Sequence, residues 1–183
     1  IKTGQGRHWL TIPINHKSGQ KISETTINNN LNWKKKHWLT LKSCYEKSEF
    51  FKFYEPHLKC FYELEWENLR DLNMELTLKM MGWLGIETPT LKSSDMGLTT
   101  SASDLVLDIC KKNGATNYIT GIGGKNYLKL ETFVAVGIQF NFIENKLPSH
   151  YEQLFPKMGF KNDLSAIDIL FNCGKSWRSV VEL

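Results

Sequence analysis

No two cysteines in this sequence stand close together. Cys44, Cys60, Cys110 and Cys173 are dispersed without any C-x-x-C spacing, which leaves a zinc ribbon or a redox dithiol unsupported. Each falls in a segment patterned like an apolar helix face, and reduced, mostly buried thiols fit a cytoplasmic protein. No apolar run reaches the roughly 18 residues of a membrane-spanning helix. The chain opens at Ile1 rather than Met, so nothing about targeting follows from the lack of a leader pattern. The Walker spacing G-x-x-x-x-G-K-[ST] is absent, as are G-x-S-x-G, H-E-x-x-H and any His/Cys ligand cluster. No metal ligands and no cofactor are therefore expected. Charge of one sign is also scarce. Lys and Arg number 23 against 19 Asp and Glu, a net +4, and a nucleic-acid partner normally requires a more concentrated basic face. Lys34, Lys35 and Lys36 read as a solvated helix face, and no nucleic-acid partner is expected.

What remains is ordinary for a soluble globular chain: 41% hydrophobic and 23% charged residues over 183 positions, enough for one α/β domain. Four segments follow in order. Residues 1–30 form a strand or hairpin segment, with Arg7 to Ile14 alternating and Lys21 to Ile27 as a second strand. Residues 31–85 are helical. Asn32 is placed to cap the stripe Trp33, His37, Leu41, Cys44 and Tyr45. Pro56 is expected at the first position of the next helix, and Asn68 starts the stripe Leu69, Leu72, Leu76, Met80 and Trp83. Residues 86–144 form a βαβ core, and 145–183 a loop with C-terminal helices capped by Asp163 and stopped by Gly174.

The 86–144 segment has a repeated grammar: helix, glycine, strand, at Gly85, Gly114 and Gly137. Strands alternating with helices imply a parallel sheet. Ligands then bind beyond the carboxyl ends of the strands, which selects Lys92 to Asp95 with Ser94, Gly121 to Lys125, and Glu144 to Lys146. The middle loop is the most suggestive. Gly121, Gly123 and Gly124 permit a close backbone approach, and a helix starting near Asn126 or Tyr127 would turn its dipole toward an anion. A tight connection without a ligand fits the same spacing.

Two side chains stand out on helical stripes. His37 lies between aromatics, either as a satisfied, partly buried ring or as a base. Asp168 interrupts the apolar run Leu164 to Phe171, where an unpaired charge is costly. Helical spacing groups it with Ser165 and Asn172. That stripe is either the wet face of the helix or a wall in which the carboxylate serves as base, amine anchor or loop tie.

Taken in order, Trp9-Leu10-Thr11-Ile12-Pro13-Ile14, the Trp33/His37/Tyr45 helix, Ile109-Cys110 with Gly114-Ala115 and Tyr118, Gly121 through Gly124 with Tyr127, Pro148 with Tyr151, and Leu164 to Asp168 through Gly174 resemble the WbqC-like proteins over nearly the whole chain. The resemblance implies a Rossmann-like open, mostly parallel sheet flanked by helices. Family members begin with a strand and a Gln/His-Pro, aromatic, Gly-Tyr-Phe segment that this chain lacks, so the sheet is expected without its N-terminal strand here. It also implies a cytoplasmic protein of bacterial surface-polysaccharide clusters, transferring glycine or another aminoacyl group onto a nucleotide-linked amino sugar. A non-catalytic nucleotide-sugar-binding or scaffold role is the alternative. On the transferase reading His37 and Asp168 are the catalytic candidates. Ser94, Tyr118, Gly121, Gly123, Gly124, Lys125, Tyr127, Tyr151, Ser165 and Asn172 are the substrate contacts, for a nucleotide-sugar or other phosphorylated small molecule.

Overall fold

A computed structural model of the protein describes residues 1–144, 148 and 150–181. In chain order the elements are β1 (Lys2–Thr3), β2 (Gly6–Arg7), β3 (Ile14–Asn15), β4 (Thr26–Ile27), α1 (Trp33–Tyr45), α2 (Phe51–Glu63), α3 (Leu69–Leu84), α4 (Ala102–Lys112), β5 (Asn117–Gly121), α5 (Leu130–Val134), β6 (Gln139–Ile143) and α6 (Ala166–Cys173). They gather into two compact units, one of Ile1–Glu87 with Leu147–Leu183 and one of Thr88–Lys146.

The first unit is a helical core with short hairpins. The stripe of α1 is buried as its spacing requires, from Trp33 through His37 and Leu41 to Cys44 and Tyr45. α2 contributes Phe51, Tyr54 and Leu58, and α6 contributes Ile167, Leu170 and Phe171 to the same cluster. The rings of Tyr45, Phe51 and Tyr54 all lie against Phe171, and such pairs add about 0.5–1.5 kcal/mol each beyond their buried area. α2 begins at Phe51 and carries Pro56 in its interior. The expectation of Pro56 at its first position is corrected: burial of Phe51 and Tyr54 extends the helix upstream despite the missing amide. Asn68 does cap α3, its side chain accepting from the Arg70 amide at 2.8 Å, and Gly85 ends it at φ 64°. The cap of α6 is Ser165, not Asp163, and accepts from the Ile167 amide. Asn32 occupies its cap position without a side-chain bond.

The expected strand over Arg7 to Ile14 also differs. Its two ends pair separately and 8–13 form no strand: Arg7 lies in β2, antiparallel with β1, and Ile14 begins β3, antiparallel with β4. Pro13 offers no donor, and the Thr11 carbonyl bonds a histidine side chain instead of a neighbouring strand.

The second unit holds the parallel pair. β5 and β6 run in register from Asn117 opposite Gln139 to Gly121 opposite Ile143. Gly114 and Gly137 end the preceding helical segments in the left-handed region, at φ 61° and 77°. Leu107, Cys110, Leu128, Phe133 and Ile138 form the core, and Tyr118 stacks on Phe133. The third strand expected at Gly85 to Leu91 is absent, since those residues form no strand. The parallel sheet among the described residues therefore has two strands, and the chain is a mixture of helix and small sheets. The glycine loop is itself coiled into a 3-10 helix, Ile122–Asn126, and the helix expected near Tyr127 starts at Leu130 and is five residues long.

Candidate functional site

In the first unit, α1 presents His37 to a cavity of about 430 Å³, a size that suits a small molecule. Its lining is mostly apolar and includes Leu10, Trp33, Leu58, Tyr62, Leu76 and Met80. Arg7, His8, Asp163 and Ser165 add polar groups. Trp9, 88% exposed, is also part of the lining. His37 packs edge-on against Trp33 and Tyr62. Its Nε2 lies 3.0 Å from the Thr11 carbonyl oxygen. A carbonyl can only accept, so Nε2 carries the proton and Nδ1 keeps its lone pair. Among the described residues no side-chain nitrogen or oxygen is both sealed from solvent and unpartnered. Nδ1, which has no partner among the described residues, is therefore accessible. Burial holds the His37 pKa below its ordinary value, opposed by the Thr11 bond and reinforced by nearby His8, so the ring is a neutral base at pH 7. Arg7 binds Asp163 at 2.7 Å on the wall of the cavity, and that bond holds the Asp163 carboxyl below the usual range.

Asp168 is not on a wet face. It is fully buried. Oδ2 accepts from the Tyr45 hydroxyl at 2.6 Å. Oδ1 accepts from Tyr151 at 2.7 Å, Gln153 at 3.1 Å and Asn172 at 3.3 Å. The carboxylate thereby ties Tyr151 and Gln153 to α6. Burial, then the charge of Asp168, then its hydrogen bond raise the pKa of both tyrosine hydroxyls, which remain donors. The same causes, without the bond but with Glu49 added, push the Cys173 thiol up to about 11.

The chain belongs to the WbqC-like protein family. The sequence model of that family matches residues 1–179. An uncharacterized Mycobacterium tuberculosis H37Rv protein, Rv1507c, is 32% identical over 177 residues, covering 95% of this chain and 75% of the relative. No solved structure matches the chain.

The structure thus gathers His37 and Ser165 at one cavity of this WbqC-like chain, and Tyr151, Asp168 and Asn172 in one buried network. The remaining candidates lie in the second unit. Ser94 sits in a 3-10 turn and donates to Asp95. Lys125 lies over the ring of Phe142 at 5.0 Å. Tyr127 is exposed, and Tyr118 is in the core wall. Gly124 has a packing reason to be glycine: a Cβ there would meet Thr120 at 2.8 Å. Gly121 and Gly123 have open space and no left-handed φ. The third polar loop continues past Glu144 into Asn145 and Lys146, which lie outside the described residues. Among the described residues no three His, Cys, Asp or Glu side chains gather as a metal site, and no helix is long and apolar enough to cross a membrane.

Sequence reasoning missed Lys2, Gln153 and the partnership of Tyr45 with Asp168. Tyr45 was visible on its stripe, but nothing local in Ile1-Lys2-Thr3 marks a lysine that folds inward.

Proposed function

We propose that the protein is an aminoacyl transferase, forming an amide between an activated glycine or similar acyl donor and the amine of a nucleotide-linked amino sugar in bacterial surface-polysaccharide synthesis, in the cytoplasm. The observation that carries the reading is the neutral His37, oriented by the Thr11 carbonyl on the wall of a mostly apolar cavity. The amine nitrogen attacks the acyl carbonyl, its proton passes to Nδ1 of His37, and the donor's leaving group departs with the electron pair of the broken acyl bond. A base so placed contributes about 10²–10⁴-fold. Asp168 serves as a positioning residue that holds the 151–153 segment. The test is calorimetry of the full-length protein with UDP- and dTDP-amino sugars, followed by mass analysis of the sugar with an activated glycine donor. Binding and a glycyl mass gain are expected, with turnover falling at least a hundredfold in His37→Gln. No heat across the panel and no mass gain would sink the reading.

The second reading is a nucleotide-sugar-binding protein without chemistry. Gly121 and Gly123 favour it, because neither packing nor backbone conformation calls for glycine there, as it would if a ligand approached the main chain. Sugar binding weakened by Gly123→Val, with no product under any donor, would select it.

A further inference from the structure

Lys2 is 2% exposed, yet no hydrogen bond or ion pair reaches its Nζ among the described residues. A lysine so largely covered normally has a counter-ion in contact, because partial desolvation of an unpaired charge is expensive. Here the nearest candidate is already committed. The Lys2 amide donates to the Tyr45 hydroxyl at 2.9 Å, and that hydroxyl donates to Asp168. Tyr151, Gln153 and Asn172 occupy the rest of the carboxylate. Asp168 therefore acts on Lys2 through space and not by contact. Burial lowers the pKa of the amine, Asp168 raises it, and Lys161 lowers it again. Since no side-chain nitrogen among the described residues is both sealed and unpartnered, Nζ is accessible. Lys2 lines a cavity of about 380 Å³, separate in its lining from the one at His37, whose walls include His150, Tyr151, Glu152, Gln153 and Phe160.

We propose that this cavity binds a small carboxylate, with Lys2 supplying the charged donor. Carboxylate is favoured over phosphate by the charge inventory. Gln153 spends its amide on Lys161 and Asp168, and Tyr151 spends its hydroxyl on Asp168. Among the described residues of the lining Lys2 is the one cationic amine, and Glu152 opposes a dianion. The ring of Phe160, which packs against His150 and Tyr151, gives an apolar wall for whatever carries the carboxylate. Two sources share this chemistry, a simple carboxylic acid and the α-carboxylate of an amino acid, whose ammonium would then face Glu152.

The full-length protein is titrated with acetate, benzoate, glycine, phenylalanine and inorganic phosphate by ligand-observed NMR and calorimetry. At least one carboxylate is expected to bind, with affinity at least tenfold weaker in Lys2→Met. A simple acid that binds equally well in Glu152→Gln identifies the first source, and an amino acid that loses affinity there identifies the second. In parallel, arylation of Lys2 by trinitrobenzenesulfonate is followed by peptide mass. The bound carboxylate should slow it several-fold without slowing Lys35 or Lys36, a readout that stands even if Lys2→Met fails to fold. Phosphate binding without carboxylate binding, no binding of any acid, or no protection of Lys2 would each overturn the proposal. None of these outcomes bears on His37, so the two readings fail separately.

Discussion

At the scale of single residues, His37 offers the clearest pH signature. Its folded pKa lies below the ordinary 6.5 chiefly because the ring is desolvated. Between that depressed value and 6.5 the unfolded chain binds more proton than the folded one. The contribution of His37 to stability is thus complete above about pH 6.5 and is lost as pH falls toward the folded pKa. Ring-proton NMR should give a midpoint below 6.5, and His37→Gln should flatten this part of the stability profile; a midpoint at or above 6.5 would contradict the burial argument. Asp168 makes a second prediction. Asp168→Asn keeps the shape but presents an amide to four donors, and should cost about 3 kcal/mol or more in denaturant unfolding. An unchanged midpoint would mean the network contributes nothing net. The two residues were legible to different degrees. The place of His37 followed from a stripe of period 3.6 within one helix. Asp168 was conspicuous as a charge in an apolar run, but its partners are 123 and 17 residues away in sequence, a separation no periodicity encodes. The glycines divide similarly. Gly124→Ala must push into Thr120 and Leu128 and should cost about 1–3 kcal/mol, whereas Gly123→Ala should stay within about 0.5 kcal/mol. Thermal melts of the pair check this, and equal losses would remove the distinction.

At the scale of elements, helix stops and apolar faces were legible and pairing was not. Gly85, Gly114 and Gly137 each take a left-handed conformation after an apolar stretch, because a terminus is a local event. The third parallel strand was read from β-favouring residues after Gly85, but a strand exists only where a neighbour accepts its ladder, and residues 86–91 have none among the described residues. The Arg7 to Ile14 stretch failed for the same reason, its alternation real but its Thr11 carbonyl taken by His37. α2 shows the reverse error. Pro56 looked like a start, yet tertiary burial of Phe51 and Tyr54 outweighs the proline's penalty, about 3 kcal/mol in a helix interior. Because Pro56 is exposed, Pro56→Ala loses no packing and restores an amide to the ladder. The gain, less about 1 kcal/mol for a freer unfolded chain, should be about 1–2 kcal/mol, seen as a higher melting temperature. A lower one would mean that the helix needs the proline's local geometry.

At the scale of the whole molecule, the four cysteines give each unit its own reporter. All are free thiols. Cys44 is buried in the cluster of α1, α2 and α6, and Cys110 in the cluster under the parallel pair. Cys60 is exposed and Cys173 half-buried, so Cys60 should react first with a disulfide reagent. Cys173 should follow slowly, since its thiol titrates near 11 and only the thiolate attacks. Cys44 and Cys110 should wait for opening of their surroundings, at rates set by local stability. Phe133 is fully buried and belongs to the core cluster of the second unit. Phe133→Ala, at about 3–5 kcal/mol, should therefore accelerate Cys110 by two orders of magnitude or more while leaving Cys44 at its original rate. Mass-resolved labelling under native conditions separates the sites. Equal acceleration of both thiols would show that the two clusters open as one cooperative body, and no acceleration of Cys110 would show that Phe133 does not hold that cluster closed.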